Sequence, residues 1–163
     1  MNHGKRIQPA RVLSRFAIPI VLAVGWMATA CPAHPGVATP GFWINHPNAW
    51  PVEQITIGGN DYTKAEAIAA MQTPPAGDKT FTLFRDVVAA LLNNMVGNSI
   101  ECVESYKLLA NEWLADHPVA SGVAASSAAW KEAEPWHLEL DAYNNGERCA
   151  PSREEVEAGN GVD

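Results

Sequence analysis

The sequence carries no HExxH zinc motif, no CxxC pair, no Gly-rich phosphate loop and no serine-nucleophile motif. These absences speak against the common hydrolases and redox folds without excluding an unfamiliar enzyme. No cofactor is implied. Basic residues are scarce, with 11 Lys and Arg against 18 Asp and Glu, which argues against nucleic acid as a partner and against anionic lipid headgroups. The longest apolar run, Phe16 to Met27, has twelve residues, too few for an ordinary transmembrane helix of about 20. There is no internal repeat. With 163 residues, the chain suits one modest domain once any targeting segment is removed.

The start reads as such a segment. Lys5, Arg6, Arg11 and Arg15 precede the apolar run, and Ala28-Thr29-Ala30 follows it with the small residues of a cleavage site. Residues 1–30 are therefore expected to be a signal peptide. Loss of their four basic residues leaves 7 Lys+Arg against 18 Asp+Glu, a mature net charge of 7 − 18 = −11. Cys31 follows directly, and the junction resembles the lipobox of bacterial lipoproteins, in which that cysteine is acylated. Ala28 stands where such boxes usually carry leucine, and ordinary cleavage after Ala30 fits as well. Any membrane contact would be through a lipid anchor at Cys31 alone. Acylation would take Cys31, the odd one of three cysteines, out of disulfide chemistry. Cys102 and Cys149 are then free to pair in an oxidising compartment. That bond would close 46 intervening residues and stabilise the fold by about 3–4 kcal/mol in the chain-entropy model.

Residues 31–40 (CPAHPGVATP) read as an extended tether. Gly41 to Pro51, GFWINHPNAWP, packs two tryptophans, a phenylalanine, a histidine and two prolines into eleven residues. Pro47 and Pro51 remove donors and disfavour helix just before them, so an ordered loop without regular structure is expected. Gln54 to Ile57 alternates, Gly58-Gly59-Asn60-Asp61 is a turn cluster and Tyr62 resumes, which predicts a small β-hairpin. Thr63 with Glu66 forms a capping box for a helix ending near Gln72, before Pro74-Pro75. From Asp78, Phe81, Phe84, Val88, Leu91, Leu92 and Met95 fall at offsets 0, 3, 7, 10, 11 and 14, an amphipathic stripe. Arg85, Asp86, Asn93 and Asn94 lie off it. Gly97 ends that helix. Ser99 begins another with Ile100, Val103, Tyr106, Leu109, Ala110 and Trp113 on one face, ending near His117-Pro118. Residues 118–127 are a loop by composition. The last helical region, 128–143, is either broken by Pro135 or restarted there. Beyond Pro151 the acidic tail lacks periodicity and is expected to be disordered. The fold class is mainly α: a small domain of four or five helices over residues 41–150, with a short hairpin near its start.

Four groups could carry function. Phe42, Trp43 and Trp50 could form an aromatic platform, since aromatic faces stack on sugar rings and anchor protein interfaces; packing in the core is the alternative. Asn45 and His46 share that loop, with His46 either a general base or a group that bonds a backbone carbonyl and shapes the loop. His137 and Asp141 share a helical face, yet two residues do not make a zinc site, even with His117 nearby. Cys102 and Cys149, distant in sequence, are more simply a disulfide than metal ligands, and no metal is expected.

Taken together, GFWINHPNAWP, ITIGGNDYTKAEAI, FTLFRDVVAALLNNMVGN and LDAYNNGERC resemble a module of exported bacterial proteins. That module opens with Gly-aromatic-Trp-x-Asn-His-Pro-x-x-Trp-Pro and closes with Leu-Asp-x-Tyr-Asn-Asn-Gly. The resemblance spans about residues 40–150 and implies export and the extent of the domain. Ile44 stands where a lysine is expected. The leading expectation is a non-catalytic exported or surface-attached module that binds carbohydrate or a protein partner through residues 42–50, with Trp43 and Trp50 partly open to solvent. On that reading Trp43→Ala abolishes binding and leaves melting little altered. The alternatives are a hydrolase or metal-assisted enzyme using His46 with Glu53, Glu134 or Asp141, and a structural subunit of the envelope.

Overall fold

The computed structural model describes residue 1 and residues 35–159. The expected signal peptide, Cys31, the first part of the tether and the last four residues lie outside that range. The described chain is mainly α with a two-stranded antiparallel hairpin near its start. In order, it contains α1 (Pro40–Asn45), a single 3-10 turn (Pro47–Ala49), β1 (Gln54–Ile57), β2 (Asn60–Thr63), α2 (Lys64–Gln72), α3 (Lys79–Met95), α4 (Glu104–Asp116), α5 (Ala128–Asn144) and α6 (Arg153–Gly159).

Helix α3 is the axis of the domain. Six consecutive apolar residues, 87–92, make it hydrophobic around most of its circumference, the pattern of a helix wrapped by others. It packs on α1, α2, α4, α5 and β1. Leu83, Phe84, Val87, Val88, Leu92 and even Asp86 and Asn93 are buried, while Met95 is 44% exposed. The single-stripe reading of this helix is therefore too narrow at Asp86 and Asn93 and too generous at Met95. Asp78 caps α3, accepting from the Thr80 amide, and its carboxylate also accepts from the amides of Gly122 and Val123 at 2.9 and 3.1 Å. One side chain thus fixes both the helix start and the loop before α5. Burial raises the Asp78 pKa, but these hydrogen bonds outweigh it and hold the carboxyl below its ordinary value.

The hairpin turns at Gly58-Gly59, both with positive φ (57° and 72°), as a type I′ turn requires. Gly58 has a second constraint: a Cβ there would lie 2.6 Å from the Leu114 backbone of α4. The capping box of α2 forms as expected, with Thr63 and Glu66 bonding reciprocally. The other end of α2 is closed by Arg85, whose guanidinium donates to the carbonyls of Met71 and Thr73, a cation on the negative end of a helix.

Several expectations are corrected. The aromatic stretch is not irregular: Pro40 occupies the first turn of α1, where its missing N–H costs nothing, and Thr39 caps it. Helix α4 begins at Glu104 rather than near Ser99. Pro135 neither breaks nor restarts α5, which runs through it. Pro135 and Lys131 are both exposed, so the Lys131 carbonyl that loses its helical donor lies on the solvent side. The tether is packed from residue 36 onward, with Val37 and Ala38 buried. Val37 pairs in parallel with Ser152, donating to the Pro151 carbonyl and accepting from Arg153, both at 2.9 Å. The segment expected to be disordered instead forms α6 from Arg153 to Gly159. Contacts distant in sequence order it.

Cys102 and Cys149 form a disulfide, with Cα atoms 5.9 Å apart. It joins the chain just before α4 to the segment just after α5.

Candidate functional site

Trp43 and Trp50, the heart of the expected platform, are 2% and 6% exposed. Their open ring faces are not found. Instead each indole N–H is used internally. Trp50 Nε1 donates to the Trp43 carbonyl at 2.8 Å, and Trp43 Nε1 donates to Asn93 Oδ1 at 3.2 Å. Asn93 Oδ1 also accepts from the Ala38 amide (2.8 Å), while its Nδ2 donates to the Ala38 carbonyl (2.9 Å) and to Asn144 Oδ1 (3.0 Å). All four hydrogen-bonding positions of this buried amide are filled. Asn144 Nδ2 continues to the Asp86 carbonyl at 3.1 Å. The aromatic opening, the end of α3 and the Asn-Asn close thus belong to one polar chain through the core.

His46 and Phe42 form the outer face of the same region. His46 follows α1 and donates Nδ1–H to the Phe42 carbonyl at 2.9 Å, its ring stacked on Phe42 at 4.3 Å. His117 repeats the arrangement after α4, donating to the Trp113 carbonyl at 3.1 Å and stacking on Trp113 at 4.2 Å. Both histidines follow an aromatic residue by four and precede a proline, in FWINHP and WLADHP. An aromatic-x-x-x-His-Pro string therefore ends a helix twice here. The imidazole satisfies a terminal carbonyl and the proline forbids another turn. Among the described residues His46 bonds no carboxylate. Glu53 pairs with Lys64 at 2.6 Å and Glu134 with Lys131 at 2.9 Å. Half-exposed Phe42 is covered from the other side by the Arg153 guanidinium, 4.8 Å from its ring. Asn45 is exposed and donates to the Gly41 carbonyl at 2.9 Å.

His137 faces α3, not Asp141. Its Nδ1 donates to Asp86 Oδ2 at 2.5 Å. Burial pushes the Asp86 carboxyl up to about 6 against the lowering effect of this bond, with Asp141 adding to the rise and Arg85 opposing it. The Asp86 bond raises His137 above its ordinary value, with burial opposing and Asp86 and Asp141 charge adding; Lys79 lowers it slightly. Trp130 lies beside the His137 ring at 5.5 Å, and Lys79 sits over Trp130 at 5.0 Å. No group of three or more His, Cys, Asp or Glu among the described residues could hold a metal ion.

Open concavities lie elsewhere: one of about 120 Å³ is lined by residues of β1, α3 and α4, among them Ile57, Leu91 and Leu108, and a larger one lies between α4 and α5. The larger, a groove of about 280 Å³, is lined by Leu109, Glu112, Trp113, Asp116, His117, Glu132 and Trp136. Among the described residues, none of the Glu112, Asp116 and Glu132 side chains has a hydrogen bond or ion pair, and all three residues are exposed. Sequence reasoning did not single out these three acids, nor Asn93, Asn98 and Asn144. Only the unbroken apolar run on α3 hinted that polar residues on that helix would be internal.

Among the described residues no helix is long and apolar enough to cross a membrane. Set against family models, curated proteins and solved structures, the chain matches none.

Proposed function

We propose that this chain is a non-catalytic exported module that recognises a partner through the exposed ridge of α4 and its groove against α5. The single observation that carries this reading is the composition of that surface. Leu109, 42% exposed, lines the groove with the half-buried Trp136 and three carboxylates that pair with no side chain among the described residues, while Leu108, 58% exposed, lines a second cavity on the other flank of α4, against β1 and α3. Large exposed apolar side chains rimmed by charge mark interaction sites on small soluble domains. The aromatic opening serves as scaffold in this reading, because its N–H groups are consumed within the core. Export is supported by the basic and apolar start, the resemblance at residues 40–150 and the Cys102–Cys149 disulfide, a bond that persists in oxidising compartments.

Intact-mass analysis of the protein from its native host tests export. The expected mass is that of a chain cut before Cys31, lacking two protons for the cystine, with or without acyl groups on Cys31. A full-length chain with free thiols overturns the reading. Affinity capture from envelope extracts tests recognition, and the expected result is a partner retained by the wild type and lost by a Leu108→Ser, Leu109→Ser variant of unchanged melting.

A further inference from the structure

We infer that the Cys102–Cys149 disulfide is a redox latch: a dithiol reductant opens it, and the C-terminal strap of residues 149–159 then lifts from Val37 and Phe42. The inference goes beyond the module reading and does not depend on the α4–α5 groove.

The placement of the bond comes first. Up to Arg148 the chain is still held by α5. The amides of Asn145, Gly146 and Glu147 donate to the carbonyls of Asp141, Tyr143 and Ala142, and Arg148 pairs with Glu139 at 2.8 Å. The strap begins at Cys149, and α6 within it buries no residue. Beyond the disulfide, what fastens it to the domain is the buried Ala150, two main-chain bonds to Val37 at 2.9 Å and the Arg153 guanidinium over Phe42 at 4.8 Å. A segment with so little buried side chain can open locally while the rest of the domain stays folded. Yet its seat is built to fit. A Cβ on Gly36 would lie 2.5 Å from the Arg153 Cα, and one on Gly146 2.5 Å from the Ser152 amide nitrogen. Two glycines thus let the strap approach to backbone contact on both sides.

The chemistry of the bond is the second observation. Both cysteines are exposed, so an incoming thiolate can reach the pair. The two sulfurs are not equivalent, because the Cys149 amide donates to Cys102 Sγ at 3.2 Å. An N–H aimed at a sulfur stabilises its thiolate, and the better-stabilised thiolate leaves faster. One thiolate of the dithiol therefore attacks Cys149 Sγ. The Cys102–Cys149 bond breaks and its electron pair departs on Cys102. The second thiol of the reductant then attacks the mixed disulfide on Cys149, closes the reductant's own disulfide and frees the Cys149 thiolate. Two electrons and two protons pass to the protein, leaving two thiols. Lifting of the strap unpairs the Val37 amide and carbonyl and takes the guanidinium off the Phe42 ring, so a main-chain edge and an aromatic face are bared together.

The test adds dithiothreitol to the full disulfide-bonded chain carrying Cys31→Ser, so that one pair of thiols reports. Amide exchange at Val37 and Arg153 is expected to quicken by about tenfold or more, while residues 84–92 of α3 keep their rates. The Arg153 side-chain N–H, displaced by the Phe42 ring current when closed, is expected to move to the position of a free arginine. Removing the reductant and adding oxidised glutathione is expected to restore both signals. Brief exposure to the monothiol glutathione, followed by acid quench and peptide mass analysis, is expected to place the adduct on Cys149. Unchanged exchange at Val37 and Arg153 in the reduced protein would overturn the latch. So would loss of protection throughout α3, which would make the bond a staple of the whole fold, or a disulfide that yields to dithiothreitol only in urea. An adduct confined to Cys102 would overturn the assigned direction of attack.

Discussion

The indole N–H of Trp43 and the side-chain carbonyl of Asn93 lie 3.2 Å apart in the core, fifty residues apart in sequence. This bond fastens the first helix of the domain to its central one. Asn93 also holds both backbone groups of Ala38 and the amide of Asn144. Replacing Asn93 by leucine keeps the branched shape, adds some volume and strands these partners inside the protein. Each stranded group costs about 1–3 kcal/mol, and several together approach the whole stability of a small domain. The Asn93→Leu protein is expected to lose its cooperative thermal transition, as read by circular dichroism. Near-native melting would mean that water reaches the network.

Trp43→Ala is expected to destabilise by about 3–5 kcal/mol, the range for truncating a large buried aromatic. Urea unfolding measures this directly. The result separates scaffold from platform, because an exposed ligand-binding tryptophan is removed at little cost in stability.

The Asp86–His137 pair gives a pH dependence with a definite sign. Both groups have folded-state pKa values raised above their ordinary ones, Asp86 to about 6. The folded protein therefore binds protons more tightly than the unfolded chain. The contribution of Asp86 is fully present below its unfolded value near 4 and is lost as pH rises through about 6. That of His137 is present below about 6.5 and is lost as pH rises through its higher folded value. The lowered carboxylates, such as Asp78, act with opposite sign but only in the more acidic range below their ordinary values. A melting temperature a few degrees higher near pH 5.5 than near pH 8.5 is expected, and His137→Gln is expected to flatten the upper part of that slope. A Tm that rises steadily from pH 5.5 to 8.5 contradicts the assignment.

Tyr143 is fully buried and its hydroxyl has no partner among the described residues; burial pushes its pKa upward. Tyr143→Phe removes an unpaid polar group and little volume. The expected change is neutral or stabilising by up to about 1 kcal/mol, measured by denaturant midpoint. A loss beyond about 1 kcal/mol would reveal a hydrogen bond to solvent.

Replacing Cys102 and Cys149 together by alanine is expected to cost about 3–4 kcal/mol. The segment that follows, which pairs Ser152 with Val37 and carries α6, is expected to exchange its amides fastest once released. Hydrogen exchange on the variant reads this out, and unaltered protection at residues 149–159 would show that packing alone holds the tail.

Much of what was legible in the sequence came from signals decided within a few residues, although the capped start of α1, the start of α4 and the continuity of α5 through Pro135 were local and were missed. The capping box at Thr63 and Glu66, the turn at Gly58-Gly59 and the loop of residues 118–127 each depend on neighbours in the chain. Cysteine counting also found the disulfide, since with Cys31 set apart only one pairing was left. Other readings failed because a partner far along the chain decides the outcome. Residues 36–40 look like a tether until Asn93 and Asn98 grip their backbone, and residues 151–159 look disordered until Val37 and Phe42 meet them. His46, read as either a general base or a group that bonds a backbone carbonyl, takes the second role on Phe42, only four residues before it.

The amino-acid order alone determined the fold class, the hairpin and the bounds of α2 and α3, because apolar period, capping chemistry and glycine conformation are local properties of the chain. Only the tertiary structure decided that the tryptophan-rich opening is an internal strut and that an acidic groove forms across α4 and α5. The reason is geometric. Residues 86 and 93 share a face of α3, and 112 and 116 a face of α4, but 43, 144 and 132 belong to other helices, so the convergence exists only once the helices are packed.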